Sequence, residues 1–197
     1  MPSRPGLRRS DRKTVPLRAE VTATLRREHD LIRRAAAILR CIADGVAAGA
    51  SFPRDDFAAL IRFLRECAEH QHHRKEESLL LVTLAADVDD AAEDVGGLLR
   101  DHEETRELVY MLTLFWDPIH DLPAEGRAAF TQVARTYADR IERHMAHEEA
   151  NFFPLAERMI PGDEKLDLLR EFAAIDHDRP TTEHWAQHLD LLAARWH

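Results

Sequence analysis

The segment HMAHEEANFFPLAE, residues 144–157, decides the fold of this chain because it combines metal-ligand side chains with an apolar helical stripe. His144 and Glu148 are four residues apart, and side chains at that spacing lie on one face of an α-helix. At about 100° per residue, both fall near the centre of that stripe. A carboxylate buried there is costly unless a cation balances its charge. The segment therefore predicts a long helix that contributes to a buried metal site.

Three further segments carry histidine in a comparable setting: EHDLIRR at 28–34, HHRKEE at 72–77 and DHEETRE at 101–107. His29 and His102 each fall beside the apolar residues of a helical pattern. A single histidine on such a face is more often a hydrogen-bonded core residue than a ligand. Four histidines and two carboxylates that face the interior of one bundle predict a site for two metal ions.

The HHRKEE segment offers two pairings of histidine with glutamate at helical spacing. At about 100° per residue, His72 and Glu76 lie closer to the apolar face of their helix than the alternative pair. His73 and Glu77 fall outside that face. We therefore predict that His72 and Glu76 point inward and that His73 points away.

The 197-residue chain has 45% hydrophobic residues and only seven glycines, which favours one all-helical domain. The predicted fold class is all-α, an antiparallel up-down four-helix bundle with one or two short C-terminal helices. The acidic stretch 87–97 is predicted to be a loop. The predicted divisions are a basic flexible tail at 1–19, the bundle at 20–162 and a C-terminal helical extension at 163–197. Apolar spacing places the helices at about 22–46, 54–84, 95–116, 123–159, 164–175 and 181–195.

Charge and composition exclude several classes of partner. The net charge of −9 argues against nucleic acid, and the sequence has no apolar run long enough to cross a membrane. The basic N-terminus lacks the apolar stretch of a secretory signal. Cys41 and Cys67 show no CxxC spacing, so we expect reduced thiols and a cytoplasmic location.

The last predicted helix has an apolar stripe that includes Trp185, Leu189 and Leu192. This stripe is predicted to pack on the bundle or on a second copy of the chain, so a homodimer through the C-terminal helices is possible. His184 and His188 form an HxxxH pair without a nearby carboxylate. Surface exposure or partial burial is therefore expected for them, rather than a second metal site.

Four motifs resemble those of the hemerythrin-like HHE cation-binding family. EHDLIRR resembles its EHxxI segment, QHHRKEESLLL its HHxKEExxLFP segment, DHEETREL its EHExxR segment and HMAHEEANFFPLAE its HxxxExxxLFPxAE segment. The resemblance covers roughly Leu25 to Pro161 and implies a hemerythrin-like four-helix bundle. The metal ligands implied by position agree with those from helical phase, and they are His29, His72, Glu76, His102, His144 and Glu148.

The chain departs from the family pattern at three points. Val82 stands where the second motif has proline, which should affect only the helix end. Arg106 stands where oxygen-carrying hemerythrins have a further histidine. Glu148 is a glutamate at i+4 from its histidine, where the carriers have an aspartate at i+5. The sequence therefore predicts four histidine ligands rather than five and resembles the carriers less well.

The implied cofactor is a pair of non-haem iron ions, which an oxo group can bridge, although manganese or zinc also suits imidazole and carboxylate ligands. Open coordination positions favour binding or processing of O2, peroxide or nitric oxide, in a stress response or in sensing. The alternatives are an iron-responsive regulatory or interaction module without turnover and a metal-free helical scaffold. A ferritin-type centre needs Glu-x-x-His on two helices, and only Glu69 and His72 provide one.

Two other residues have open roles. Tyr137 lies two turns before His144 on the same stripe, about 10 Å along the helix axis. It is a candidate catalytic residue that donates a hydrogen bond to a bound species or acts as a redox partner, or else it is a core tyrosine. Arg106 either balances charge near the site or faces solvent.

Overall fold

The computed structural model describes residues 20–85, 91–117 and 120–196, and these residues form six helices without any strand. The all-α class is therefore confirmed for the described part of the chain. The predicted basic tail at 1–19 lies outside the described residues, and the boundary between 162 and 163 stays a prediction. The helices are α1 (Thr22–Ala47), α2 (54–85), α3 (Ala91–Thr113), α4 (124–159), α5 (Gly162–Asp176) and α6 (Thr182–Ala193).

Two of the long helices change their hydrogen-bonding pattern part of the way along. Helix α2 is α-helical over Arg54–Phe63, π-helical over Leu64–His73 and α-helical again over Arg74–Ala85. Helix α4 is likewise interrupted by a short π segment over Glu148–Phe152. A π-helix is rare and closes each hydrogen bond one residue later than an α-helix does, so it changes which side chains share a face.

Helix α3 begins at Ala91, four residues before the predicted start at about 95, so residues 91–94 also belong to the helix. The sequence at 91–93 consists of alanine and glutamate, which have high intrinsic helix propensity. Val95 and Leu98 are buried in an apolar cluster, and their burial offsets the poor helix propensity of the two adjacent glycines.

Helix α4 begins without a side-chain cap. The helix begins at Ala124, and Pro123 occupies the N-cap position without a side-chain hydrogen bond. The Asp121 carboxylate instead accepts hydrogen bonds from the backbone amides of Phe52, at 3.0 Å, and Leu122, at 2.9 Å. Asp121 therefore ties this loop to the segment that precedes α2.

Helices α1 and α4 pack against each other in opposite directions. Near the start of α1, the Thr22 amide donates to Glu157 at 2.8 Å. Near its end, Arg135 donates to Asp44 at 2.6 Å. Contacts that move forward along α1 thus move backward along α4, so this pair is antiparallel. The up-down order predicted for all four long helices remains a prediction.

The interior consists of two apolar clusters with a polar layer between them. Leu25, Leu79, Leu98 and Phe152 belong to the smaller cluster. The larger cluster contains, on the same four helices, Ile32, Leu64, Val109 and Ile141. The histidine segments of α1 to α4 lie between these two sets of residues along each helix, so packing of the clusters brings the segments to one level. Burial of this apolar surface drives assembly of the bundle.

The C-terminal helix packs on the bundle of its own chain, which was one of the two predicted outcomes. Trp185, Leu189 and Leu192 are buried in the larger cluster. His184 is exposed and His188 is half-buried, as predicted for this pair. A homodimer through the C-terminal helices remains a prediction, and it would need a face other than this stripe. Among the described residues, no helix is both long and apolar enough to cross a bilayer.

Candidate metal centre

Two groups of four side chains with donor atoms lie in the polar layer, and all of these side chains are at most 2% exposed. Within each group the candidate ligand atoms lie within 4.8 Å of one another. The first group is His29, His72, Glu76 and Glu148, and the second is His73, Glu76, His102 and His144. The structure therefore brings all six predicted residues together, and Glu76 belongs to both groups.

The first group is centred on the ring of His29. Its Nε2 atom lies 3.3 Å from Glu76 Oε1 and 3.3 Å from Glu148 Oε2. The Nε2 atom of His72 lies 3.0 Å from the same Glu76 oxygen. Two imidazole nitrogens and two carboxylate oxygens thus face a common point.

The second group uses the opposite oxygens of the same two glutamates. Glu76 Oε2 lies 3.5 Å from His102 Nε2, and Glu148 Oε1 lies 3.3 Å from His144 Nε2. The Nε2 atoms of His102 and His144 are 3.1 Å apart, and the His73 ring stacks on His102 with 4.2 Å between centroids. Each glutamate therefore presents one oxygen to each group, which is the arrangement of a carboxylate that bridges two cations.

Several of these buried atoms have no hydrogen-bond partner within the described structure. They are His72 Nε2, both ring nitrogens of His73, Glu76 Oε2 and both carboxylate oxygens of Glu148. Leaving so many buried polar atoms unsatisfied is costly, and native proteins rarely do so without a ligand. A pair of cations would satisfy imidazole nitrogens and carboxylate oxygens at the same time. The residues present therefore fit a two-metal site.

The prediction that His73 points away from the interior was wrong, because its side chain is only 1% exposed. The prediction assumed about 100° per residue, which applies to an α-helix. His72 and His73 end the π segment of α2, whose wider turns let both rings face the centre. Five histidines, rather than four, thus line the site. The paired histidines and paired glutamates in HHRKEE were the sequence signal for a fifth inward-facing histidine.

Four of the histidines direct Nε2 toward the donor groups and Nδ1 toward a carboxylate behind the site. The distances are 2.7 Å for His29–Glu149, 3.1 Å for His72–Glu28, 3.3 Å for His102–Glu77 and 3.5 Å for His144–Asp101. Such outer carboxylates orient ligating histidines and raise their basicity. Each of these carboxylates also pairs with a cation: Glu149 with Arg33, Glu28 with Lys75, Glu77 with Arg106 and Asp101 with Arg140.

In the polar layer, His29 and His102 each have a raised pKa because carboxylates lie close to their rings. Burial alone would lower the pKa of His29, but Glu148 and Glu76 outweigh it and raise the pKa to about 10. Burial is likewise outweighed at His102, whose pKa the carboxylates of Glu76 and Glu77 raise to about 9. Burial and the neighbouring His102 hold the pKa of His73 well below its usual value. Metal ions bind imidazole in its neutral form, so cations would displace protons from His29 and His102.

The charged residues behind the donors were not found from the sequence. Lys75 is 0% exposed and Glu28 is 5% exposed, although both stand in strongly polar stretches that look solvated. Arg106 pairs with Glu77 behind His102, which favours charge balance over the solvent-facing alternative.

Tyr137 lies in the larger apolar cluster rather than in the polar layer. Its pKa is raised, first by burial and then by the nearby Glu69 and Cys67. This setting suits the core-tyrosine alternative, and a role in chemistry stays a prediction.

An all-helical bundle with a buried layer of histidines and shared carboxylates defines a class of metal-binding helical proteins. The family profile described as Hemerythrin HHE cation binding domain matches residues 20–156, more than half of the 197-residue chain. The chain therefore belongs to the hemerythrin HHE cation-binding family. Neither the curated proteins nor the solved structures gave a match to this chain.

Proposed function

We propose that this protein is a non-haem di-iron protein that binds or processes O2, peroxide or nitric oxide, in a stress response or in sensing. The observation that supports it most directly is that Glu76 and Glu148 each present one oxygen to either donor group. The proposal includes an antiparallel up-down order of the four long helices. It also includes a cytoplasmic location, with which the free thiols of Cys41 and Cys67 agree.

Iron suits this donor set because imidazole and carboxylate ligands together favour iron or manganese, and zinc also accepts them. The first group offers two imidazoles and two carboxylates, whereas the second offers three imidazoles and Glu76, and Glu148 Oε1 also lies 3.3 Å from His144 Nε2 of the second group. An octahedral ion in the first group would therefore keep more open positions than one in the second. We assign the binding of the small ligand to the first group. Bound iron would supply the redox capacity and the ligand affinity.

The protein's own residues supply position, charge and exclusion of water. All seven donor side chains are at most 2% exposed, and apolar clusters lie on both sides of the layer. A site so enclosed favours diatomic molecules and peroxide over larger substrates. The carboxylates behind the histidines fix the ring orientations, so the donors need little rearrangement when a cation binds.

Metal analysis, visible absorption and turnover together test this proposal. Protein expressed with ample iron should contain two irons per chain and absorb in the near ultraviolet and visible. His144→Ala should lose iron and any peroxide turnover or nitric oxide binding, whereas the matched variant His147→Ala, on the exposed side of the same helix, should retain both. If iron-loaded wild type is inert toward O2, peroxide and nitric oxide, the proposed chemistry is wrong and a regulatory module is favoured.

A further inference from the structure

The ammonium group of Lys75 joins the bundle to the C-terminal helices. Its Nζ atom lies 2.5 Å from Glu28 Oε1 and 2.6 Å from Asp176 Oδ1. Glu28 belongs to α1, and Asp176 is the last residue of α5. Lys75 is 0% exposed and Glu28 is 5% exposed, so water screens their ion pair poorly, whereas the Asp176 side chain is 39% exposed.

The same contact region holds both C-terminal helices. The Gln71 side-chain amide donates to Asp176 Oδ1 at 3.1 Å and to the Pro180 carbonyl oxygen at 3.2 Å. The Trp185 indole, in α6, donates to the Gln71 side-chain oxygen at 3.1 Å. The end of α5, the following turn and α6 are thus all fastened to the segment of α2 that carries His72.

On its other side this network reaches the first donor group. Glu28 uses one oxygen for Lys75 and the other for His72 Nδ1, at 3.1 Å. Among the described residues, the corresponding cations behind the other histidines are Arg33, Arg106 and Arg140, whose side chains are 30–41% exposed. The cation behind His72 differs because it is fully buried and continues into the C-terminal extension.

The extension does not close completely over this network. A cavity of about 270 Å³ lies between the bundle and the extension, and Glu28, Gln71, Asp176 and Trp185 line it. The two parts therefore meet through a few directed polar contacts beside a gap, rather than through continuous apolar packing at this point.

We propose that Asp176 is a positioning residue for the first donor group, and that docking of α5 and α6 and metal binding at His72 stabilise each other. Asp176 holds Lys75 in place, Lys75 holds Glu28, and Glu28 fixes the ring of His72. Without the Asp176 carboxylate, Lys75 keeps one charged partner and draws Glu28 away from the ring. The inference rests on the proposed metal site but not on its redox chemistry.

The first test uses the full chain and Fe²⁺ under anaerobic conditions, with a chelator as competitor. Asp176→Asn should weaken the binding of one of the two ions by up to about 10-fold, the lower end of the effect of a direct partner of a ligand, and leave the other ion unchanged. Asp176→Glu should restore most of the affinity. Asp167→Asn is the matched control, because Asp167 lies on the same helix in an exposed pair with Arg170.

The second test measures the reciprocal effect, since coupling between two equilibria must be equal in both directions. Fe²⁺ loading of wild type should slow amide hydrogen exchange in α6, and this slowing should be lost in Asp176→Asn but kept in Asp167→Asn. Neither readout depends on turnover.

Three outcomes would overturn the inference. One is equal Fe²⁺ affinity in Asp176→Asn and wild type, and another is α6 exchange that ignores metal. A third is an equal loss at both ions, which indicates a general structural role for Asp176. If wild type itself takes up no Fe²⁺, the proposed function fails as well, so the two failures are distinguishable.

Discussion

The polar layer and the larger apolar cluster both draw on the four long helices, and the cluster also takes residues from α6, but the two regions differ in what stabilises them. In the apolar cluster, the rings of Phe52, Phe57 and Phe130 meet edge to face, with centroids 5.0–5.4 Å apart. Such packing lowers the free energy of the folded chain without any ligand. In the polar layer, by contrast, buried nitrogen and oxygen atoms of His73 and Glu148 lack hydrogen-bond partners within the described structure.

This difference implies a division of roles within one bundle. The apolar clusters stabilise the metal-free protein enough to hold the donor side chains in place. The polar layer opposes folding until a cation binds, because unsatisfied buried polar atoms are costly. Substitutions in the layer should therefore change metal content, and substitutions in the cluster should change the free energy of unfolding.

The largest effect is expected for Glu76→Ala, because Glu76 contributes to both donor groups. The iron content should fall from two per chain to nearly none, while circular dichroism shows that the helices persist. Glu66→Ala is the matched control on the same helix, where Glu66 forms a surface pair with Arg62. Retention of two irons by Glu76→Ala would contradict the shared-carboxylate arrangement.

His73→Ala should remove one iron and leave the other, because His73 belongs only to the second group. His70→Ala, which changes an exposed histidine of the same π segment, should leave both irons in place. Inductively coupled plasma analysis of the two purified variants checks this directly. If His73→Ala keeps two tightly bound irons, the five-histidine site is wrong.

Phe130→Ala should produce the opposite pattern to Glu76→Ala. The Phe130 ring is fully buried in the larger cluster, so its removal should lower the free energy of unfolding by about 3–5 kcal/mol. Urea denaturation of metal-free protein measures this loss. The folded variant should still bind two irons, and a loss of iron in proportion to the lost stability would show that the two regions are not separable.

The smallest effect concerns Glu69, a carboxyl at the edge of the apolar cluster. Burial, only partly offset by Arg106 and Arg65, raises the pKa of Glu69 from 4.5 to about 7. The folded state therefore binds this proton more tightly than the unfolded state does. As the pH rises from about 4.5 to 7, the proton is lost and the charged carboxylate lowers the stability of the folded chain.

Glu69→Gln should remove the cost of burying the Glu69 charge and stabilise the metal-free protein at pH 8 by about 1–2 kcal/mol, after a discount for the partial exposure of the side chain. The gain should be smaller at pH 5, because the Glu69 carboxyl of the folded wild type is still protonated and uncharged there. Glu66→Gln, which changes a carboxyl in a surface pair with Arg62 on the same helix, serves as the control substitution. Urea denaturation at the two pH values measures the free energy of unfolding of each variant. An equal gain at both pH values would contradict the raised pKa of Glu69.

The sequence predicted the structure correctly where contacts within a single helix determine it. The first helix was predicted at 22–46 and is observed at Thr22–Ala47. His144 and Glu148 were correctly placed in the interior, because the helix is α-helical up to His147 and the 100° rule applies there. Both results depend only on neighbours within one helix.

The sequence was insufficient where distant residues determine the structure. The inward position of His73 depends on the π segment of α2, and no residue in it signals that hydrogen-bonding pattern. Lys75 looks solvated in its own stretch, and its burial depends on Glu28 in α1 and Asp176 in α5. Pairing of charges from separate helices is a tertiary property that a periodicity argument does not contain.

The π segment of α2 makes the chain's length at this point as important as its composition. Adjacent positions diverge by about 100° on an α-helix and by less on the wider turns between Leu64 and His73, which helps two consecutive histidines to face the polar layer. Deleting one residue there would let the backbone relax to ordinary α-helix and rotate everything downstream, including Glu76 and Leu79. A one-codon deletion should therefore be far more damaging to metal binding in 64–73 than in the loop before α2, which carries none of the donor residues.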